Sequence, residues 1–449
     1  MDECLDIFGQ QTFTINIQSC FCFSLPDASA PAQSVVINTL ARGLERLHAS
    51  FPWLSGQVVN EGSGDGDTGR FLIRPLENVP KLVVKNLQPD SLVATMEVLR
   101  RANFPMSMLD QDILAPRKIF PEDNSESAPV FLVQANFNAG GLLLTFVAQH
   151  NAMDAIGLGH IIHLFSKACR NESFNDQELR CTNLPRRNIV PLLEHSDMMG
   201  AELDRYIVKT APYSNPSGVR GSLLPNCTWT SFKFSHCSLI RLKLVAMGSL
   251  TSPSFVSTDD ALTAFIWQSV ARVRLLRLDP SIRSTLMRAV DVRGLLGISP
   301  FYPGPIQSNV YTGFTLQELT EESLGGVALR LRSALNDKSR LANHTRAVAT
   351  FLSCTSDKSI FSFGAKLDTT TDLILSSWAK VESYRFDFNL GLGLPEAVRK
   401  PRCNEVEGLT FVLPKTLEGE IVVALCLRLE DIERLRCDAD FIKYAEYIG

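Results

Sequence analysis

The chain has 449 residues, of which 45% are hydrophobic and 20% charged, and its formal net charge is -4. A single hydrophobic core stops growing well below this length, so two domains or three are expected. The ordinary hydrophobic content excludes a mostly disordered chain, and the slight acidic excess argues against a nucleic-acid partner.

Strand and helix patterns alternate through the first part of the chain. Residues 13–25 are rich in Thr, Ile and Phe, which predicts a strand, and apolar residues at helical spacing over 34–47 predict a helix. GRFLIRPL predicts a strand after the loop EGSGDGDTG, which lacks the Lys-Ser/Thr ending of a phosphate-binding loop. PVFLVQANF and LLLTFVAQH predict a strand pair, and a helical pattern then runs from 155 to about 168.

From about 171 to 230 the periodicity is lost, which indicates a crossover between domains. Its basic group, Pro185-Arg186-Arg187, is interpreted as a solvated part of a loop. Helical patterns restart at 239–247 and in VSTDDALTAFIWQSVARVRLL, where Ser or Thr followed by Asp is typical of a helix N-terminus. Strand patterns recur at TLMRAVDV, TDLILSSWA and GEIVVALCLR. The sequence thus predicts an α/β protein with domains 1–185 and 231–449 joined by a crossover at 186–230.

The cysteine pattern and the lack of a long apolar segment indicate the cellular compartment. The eleven cysteines show no repeated spacing and no CxxC pair, as is typical of reduced thiols. The N-terminal MDECLDIFGQQ lacks the features of a secretory signal, and the apolar run near 141–148 is too short to cross a bilayer. We expect a soluble, cytoplasmic monomer without a membrane partner.

The segment QHNAMDAIG (149–157) carries the best candidate for catalysis. His150 ends an apolar strand, and Asp154 follows one helical turn later. The usual histidine pKa of about 6.5 suits removal of a proton from a hydroxyl near neutral pH. Asp154 could brace the loop directly or through an arginine. Alone, a His-x-x-x-Asp spacing is not specific, and a buried histidine with satisfied hydrogen bonds explains it equally well.

Signals for other chemistry are weaker. His160 and His163 are spaced like metal ligands but lack a carboxylate ligand, so no metal site is expected. No GxSxG segment is present, so a serine hydrolase would have no nucleophile.

Distant segments, taken in order, resemble the BAHD-type acyltransferases, whose marks are HxxxD and a later DFGWG. These segments are HNAMD, STDDALTAFIW (257–267), RAVDVR (288–293) and SSWAK followed by FDFNLGLG (376–393). FPWLSGQV, LAPRK and FSKACRN further resemble the fungal members that acetylate trichothecenes. The resemblance covers essentially the whole chain.

This resemblance implies a chloramphenicol-acetyltransferase-like fold of two α/β domains with mixed sheets and an active site at their interface. It implies that acetyl-CoA is a co-substrate rather than a permanently bound cofactor, and that a small-molecule alcohol is the acceptor. His150 would deprotonate the acceptor hydroxyl in a ternary complex. The acceptor would be a secondary metabolite, a trichothecene-like sesquiterpenoid.

Supporting residues follow from the same resemblance. Asp154 would point away from the substrates and pair with Arg293, and Asp387 of the DFGWG-like segment would support the site. Asn389 replaces a glycine of DFGWG, which is acceptable if the backbone needs a positive φ, since asparagine adopts it readily.

Two further pairs are assigned to the substrates. Ser376 and Trp378 correspond to a Ser/Thr-x-Trp segment near the oxyanion of the tetrahedral intermediate, although Trp378 could equally be a core residue. Ser257 and Thr258 are the candidates for CoA binding.

Two alternatives remain open. The enzyme could transfer a longer acyl group or acylate an amine, or the chain could be a non-catalytic ligand-binding relative. Gln149 stands where condensation domains of peptide synthetases carry a second histidine, which disfavours an amide-forming reaction on a carrier protein.

Overall fold

A computed structural model describes residues 2–88, 93–121, 128–194, 203–208, 226–250 and 254–449. Much of the predicted crossover, 195–202 and 209–225, lies outside the described residues. Sixteen strands lie within them: β1 (Glu3–Cys4), β2 (Asn16–Ser24), β3 (Gly56–Glu61), β4 (Arg70–Pro75), β5 (Val83–Asn86), β6 (Ala128–Pro129), β7 (Phe131–Asn138), β8 (Gly141–Gln149), β9 (Cys227–Phe234), β10 (Arg283–Asp291), β11 (Gln307–Thr315), β12 (Leu373–Ser377), β13 (Ala397–Arg399), β14 (Leu409–Val412), β15 (Ile421–Arg428) and β16 (Ala445–Tyr447).

Twelve α-helices lie within the same residues: α1 (Ala30–Ser50), α2 (Met96–Arg101), α3 (Gln111–Leu114), α4 (Ala155–Cys169), α5 (Asp176–Thr182), α6 (His236–Gly248), α7 (Thr258–Arg274), α8 (Leu316–Glu321), α9 (Leu324–Asn336), α10 (Lys338–Cys354), α11 (Leu429–Cys437) and α12 (Ala439–Ile442). In the described part of the chain, none of them combines the length and the apolar character needed to cross a membrane.

Two large mixed sheets organise the molecule. The first has the order β13-β2-β8-β7-β5, and the second has the order β11-β10-β12-β14-β15-β9-β16. The second sheet contains parallel pairs at β10–β12 and β12–β14, while its remaining neighbours are antiparallel. A smaller sheet, β1-β4-β3-β6, flanks the first, and the EGSGDGDTG segment is the exposed loop between β3 and β4. The predicted mixed α/β fold is confirmed.

The first large sheet is central to the core of the N-terminal half. β8 is buried along its whole length and β2 along nearly all of it, because both strands have protein on both faces. Helices α1 and α4 pack against each other beside this sheet and share its hydrophobic core. The strand that ends at His150 is therefore a rigid element, and its end is well placed to carry a reactive side chain.

The core of the C-terminal half is built around α7. The side chain of Ser257 accepts a hydrogen bond from the backbone N–H of Asp260, and Asp260 bonds back to the N–H of Ser257, which forms a capping box. Nearly all of α7 is buried among α6, α8, α9 and α11. The predicted helix start within VSTDD is confirmed, since Ser257 is the N-cap and α7 begins at Thr258.

One part of the predicted domain division needs correction, because the 386–399 segment belongs structurally with the N-terminal half. β13 pairs antiparallel with β2 and thereby extends the first large sheet. Phe388 packs among the rings of Phe21, Phe23, Phe146 and Phe165. A short strand and a turn carry little sequence periodicity, so the sequence pattern did not indicate this return to the first sheet.

The interpretation of Arg186 as a solvated residue was wrong. Its side chain is buried, donates to the backbone carbonyl of Ala152 at 2.7 Å, and lies 4.4 Å from the centre of the Trp53 ring. A basic cluster in sequence does not reveal that one of its members packs beneath a loop. Here that loop is the one that joins His150 to Asp154.

Replacing Phe388 by alanine should lower the free energy of unfolding by about 3–5 kcal/mol, since the ring is 1% exposed and its loss leaves a cavity. Phe13, which is 60% exposed, gives a matched control, and Phe13→Ala should have a much smaller effect. Urea unfolding monitored by circular dichroism measures both. Equal effects of the two substitutions would show that Phe388 does not anchor the 386–399 segment in the N-terminal core.

Candidate active site

His150 lies directly after β8, at the junction of the two halves. Its backbone N–H donates to the carbonyl of Ile15 at 2.8 Å, and the side chain is partly exposed. Burial lowers the pKa of its imidazole. A hydrogen bond to the residue's own backbone and the charge of Asp154 oppose this shift, and the charge of Lys400 adds to it. The imidazole is therefore neutral at neutral pH, which is the form that can accept a proton.

Asp154 is buried and bonded on every side. Both of its carboxylate oxygens accept from one terminal nitrogen of Arg293 at 2.9 Å. One oxygen also accepts from the N–H of Gly157 at 2.8 Å, which caps α4, and the other accepts from the N–H of Ile306 at 3.1 Å. Asp154 therefore ties the loop after His150 to the start of a helix and to the other half of the molecule.

Arg293 is held as firmly as its partner. Its guanidinium also donates to Asp291 at 2.8 Å and to the backbone carbonyls of Tyr302 and Gly304 at 2.9 and 2.6 Å. Burial acts to lower the pKa of Arg293, but the charges and hydrogen bonds of Asp154 and Asp291 outweigh it and raise that pKa. Arg293 therefore stays charged at neutral pH and does not act as a proton donor there.

Asn151 fixes the same loop from a third direction. Its side-chain amide donates to the backbone carbonyls of Gly9 and Gln11, both at 2.8 Å. The backbone of Ala152 accepts from Arg186, as described above. Sequence reasoning missed the roles of Asn151 and Arg186. The only signal for Asn151 was its place within the HNAMD segment.

Ser376 and Trp378 lie at the end of β12, in the second large sheet. Trp378 is 4% exposed and packs in the N-terminal hydrophobic core, and its indole N–H donates to the Ser376 hydroxyl at 3.2 Å. Because Ser376 accepts this bond and is partly exposed, its own O–H remains able to donate. Trp378 is thus a core residue that also orients a polar group.

Lys400 is the functional candidate that the sequence did not reveal. It follows β13 within the basic run VRKPR and is 3% exposed. Its ammonium donates to the carbonyl of Gln18 at 3.1 Å and lies 4.3 Å from the centre of the Trp378 ring. Gln18 pairs with Val147 on β8, three residues before His150. Lys400 therefore lies between β2, which pairs with β8, and the end of β12.

Ser257 and Thr258 lie beside the end of β12, because Asp259 of the same turn accepts from the Ser377 hydroxyl at 3.3 Å. The Ser257 hydroxyl donates to the Asp260 carboxylate at 2.6 Å and accepts from its N–H. Both bonds belong to the cap of α7, so this hydroxyl already has partners within the protein. Thr258 is partly exposed.

Asp387 is placed away from His150. It accepts from the N–H of Asn389 at 2.8 Å, and its backbone carbonyl accepts from Arg170, which follows the C-terminal end of α4. Asp154 caps the opposite end of that helix. Asn389 has a φ of 56°, the left-handed conformation that its place in a glycine position implied.

The remaining histidine pair has protein partners of its own. His160 lies 2.8 Å from the Thr182 hydroxyl, and His163 packs against the ring of Phe386. Within the described ranges, no group of three or more potential ligands could hold a metal ion.

Two surface clefts lie away from His150. One, of about 180 Å³, is lined by residues of β10 and β11, Arg283 among them, and by Arg205 and Lys366. The other, of about 270 Å³, is lined by Trp53 and its neighbours in the N-terminal half. Neither includes a residue of the His150 loop, so we assign neither to the reaction.

The arrangement as a whole suits base catalysis on a hydroxyl. It combines a neutral, partly exposed imidazole on a loop fixed from both halves with the buried cation of Lys400, whose neighbour Trp378 orients a hydroxyl donor. Such a set of groups can remove a proton and stabilise an oxygen that becomes negative.

Comparisons with known proteins agree with this chemistry. Residues 15–169 match the trichothecene 3-O-acetyltransferase-like N-terminal domain, and residues 107–442 match the Transferase family. The O-acetyltransferase dmxR13 of Cryptosporiopsis sp. (strain 8999) is 50% identical over 100% of this chain and 98% of its own. The trichothecene 3-O-acetyltransferase TRI101 of Fusarium sporotrichioides is 45% identical over 99% of this chain and 97% of its own.

Solved structures give the same result at the level of the fold. The crystal structure of F. graminearum TRI101 complexed with coenzyme A and deoxynivalenol has a TM-score of 0.94 and 42% identity, and the match covers 100% of both chains. The predicted family and enzyme class are confirmed. The chain belongs to the Transferase family and is a BAHD-type acyltransferase.

Proposed function

We propose that the protein transfers an acetyl group from acetyl-CoA to a hydroxyl of a trichothecene-like sesquiterpenoid. The names of the relatives at 45% and 50% identity, and the coenzyme A and deoxynivalenol in the structure described above, support this choice. The observation that carries it is the neutral, partly exposed imidazole of His150 at the junction of two halves, on a loop that Asp154 and Arg293 hold.

The reaction is a direct transfer in a ternary complex. His150 takes the proton of the acceptor hydroxyl while the oxygen attacks the thioester carbon, and the carbonyl electron pair moves onto its oxygen. The tetrahedral intermediate then collapses and expels the CoA thiolate, which takes the proton from the imidazolium. The products are an acetate ester, CoA and neutral His150, so no covalent acetyl-enzyme forms.

Charge on the former carbonyl oxygen needs a donor. The Ser376 hydroxyl has its own O–H free because it accepts from the Trp378 indole, and we assign it the oxyanion. Trp378 then acts through Ser376 by fixing the direction of that hydroxyl. Asp154, Arg293 and Asp387 hold the surrounding backbone and touch no substrate.

For CoA we propose the turn that begins α7, beside the end of β12. Thr258 is the side chain available there, whereas Ser257 contributes through the cap because its hydroxyl is bonded to Asp260. We also propose a cytoplasmic monomer. A single chain supplies every group of the site, and all eleven cysteines, which lie within the described ranges, are unpaired.

The acceptor is tested by incubating purified protein with acetyl-CoA and a panel of alcohols and amines, with thiol release as the readout. Hydroxylated sesquiterpenoids should give thiol release that depends on the acceptor and an ester product with one acetyl group by mass spectrometry. Substitution of butyryl- or hexanoyl-CoA for acetyl-CoA tests the acyl chain. Faster turnover with the longer chains or with amines would contradict the proposal, as would no acceptor-dependent release with any alcohol.

Replacing His150 by alanine should lower kcat/KM by roughly a hundredfold to ten-thousandfold, the usual contribution of a positioned general base. His236→Ala is the control, because His236 is exposed at the start of α6. Steady-state kinetics with the best acceptor of the panel measure both variants. Turnover of His150→Ala at the level of His236→Ala would refute the assignment of the base.

Removing the Asp154 carboxylate should act on stability first. Asp154→Ala leaves Arg293 buried without its partner and should lower the free energy of unfolding by about 3–5 kcal/mol. Asp291 also pairs with Arg293, but its side chain is 42% exposed, so Asp291→Ala should have a much smaller effect. Thermal unfolding compares the two variants. Normal stability together with normal turnover in Asp154→Ala would contradict the structural role.

A further inference from the structure

Lys400 carries a charge that the folded protein alone does not explain. The side chain is 3% exposed, and among the described residues no carboxylate reaches it. Its ammonium has three donors, of which the carbonyl of Gln18 accepts one, while the faces of Trp378 and Phe411 lie at 4.3 and 4.7 Å. Burial of an ammonium without a partner anion is unfavourable, so a positive charge at this place needs a functional reason.

The surroundings of Lys400 connect it with both parts of the proposed reaction. Through Gln18 it adjoins the strand that ends at His150, and its field reaches the imidazole. Through the Trp378 ring it lies behind the indole whose N–H orients the Ser376 hydroxyl. A cation held over an aromatic face is attracted to the ring quadrupole, which fixes the position of both groups.

The reaction supplies the missing anion. When the acceptor oxygen attacks the thioester, one negative charge forms on the carbonyl oxygen, and it later passes to the CoA sulfur. Both charges appear in a region of low dielectric, where a fixed cation acts strongly. We propose that Lys400 is a positioning residue of the acyl-transfer site: its charge favours the neutral His150 base and, with Trp378, the anionic intermediate. This inference rests on the proposed function.

The charges that act on the two groups give the expected pH dependence. His150 is subject to the field of Asp154 from the start of α4, which raises its pKa, and to that of Lys400, which lowers it. Burial lowers the pKa of Lys400 to about 8, and the Cys403 thiol is the group that opposes this shift. Loss of the Lys400 charge should therefore raise the pKa of His150. In the wild type, activity should fall above about pH 8 as Lys400 loses its proton.

The test uses Lys400→Met, which keeps most of the length and an unbranched apolar stem, and Lys400→Arg, which keeps the charge. The methionine variant should fold with an unchanged or higher Tm, because an unpaired buried ammonium is removed. Its kcat should fall roughly ten- to a hundredfold, less than the loss of a direct oxyanion donor. The acid limb of its kcat/KM profile should move to higher pH, and the fall above about pH 8 should vanish. Lys400→Arg should recover most of kcat and keep the acid limb of the wild type.

Lys338→Met, an exposed change at the start of α10, is the control and should match the wild type. NMR titration of ¹³C-labelled histidine, with the His150 signal identified by its loss in His150→Gln, reads the coupling without substrate. A higher His150 pKa in Lys400→Met supports the inference. An unchanged His150 titration and pH profile in Lys400→Met would overturn it. A loss of kcat in Lys400→Met that is equal at every pH, and that Lys400→Arg shares, would overturn it as well. A wild-type protein without acetyl transfer would refute the proposed function, and the titration would still test the coupling.

Discussion

A buried ion pair between Asp154 and Arg293 joins the two halves of the molecule beside the candidate base. One carboxylate caps α4, holds the end of the His150 loop and receives the guanidinium from the end of β10. An apolar pair could fill the same space, but it could not bond the helix N-terminus and the N–H of Ile306 together. The geometry of the site therefore depends on this contact, and loss of either partner would leave the other charge buried and unpaired.

The electrostatics of the junction suit a reaction that creates a negative charge and then moves it. The imidazole is neutral because burial and Lys400 outweigh Asp154. On the other side, the indole of Trp378 fixes a hydroxyl that can donate. The base is thus available before the reaction, and the groups that stabilise the intermediate are already in place, so little reorganisation accompanies the chemical step.

Periodicity and caps predicted the main elements of the fold, including the strand that ends at His150 and the helix that begins after Ser257. The contact of Asp154 with Arg293, which lie far apart in the chain, came from resemblance to a family and not from the residue pattern. Nothing in the sequence indicated that Lys400 and Arg186 are buried, since a basic run is usually solvated. The return of β13 to the first sheet was missed because a three-residue strand has too few positions to show alternation.

The central claim is that His150 meets the acceptor hydroxyl where the two halves join. The most direct measurement is a crystal structure of the protein with CoA and a hydroxylated sesquiterpenoid. A ring nitrogen of His150 should lie within about 3.2 Å of the acceptor oxygen. The acceptor oxygen should lie between this nitrogen and the sulfur of CoA. An acceptor bound elsewhere, or a His150 ring turned into the core without access from either substrate, would contradict the claim.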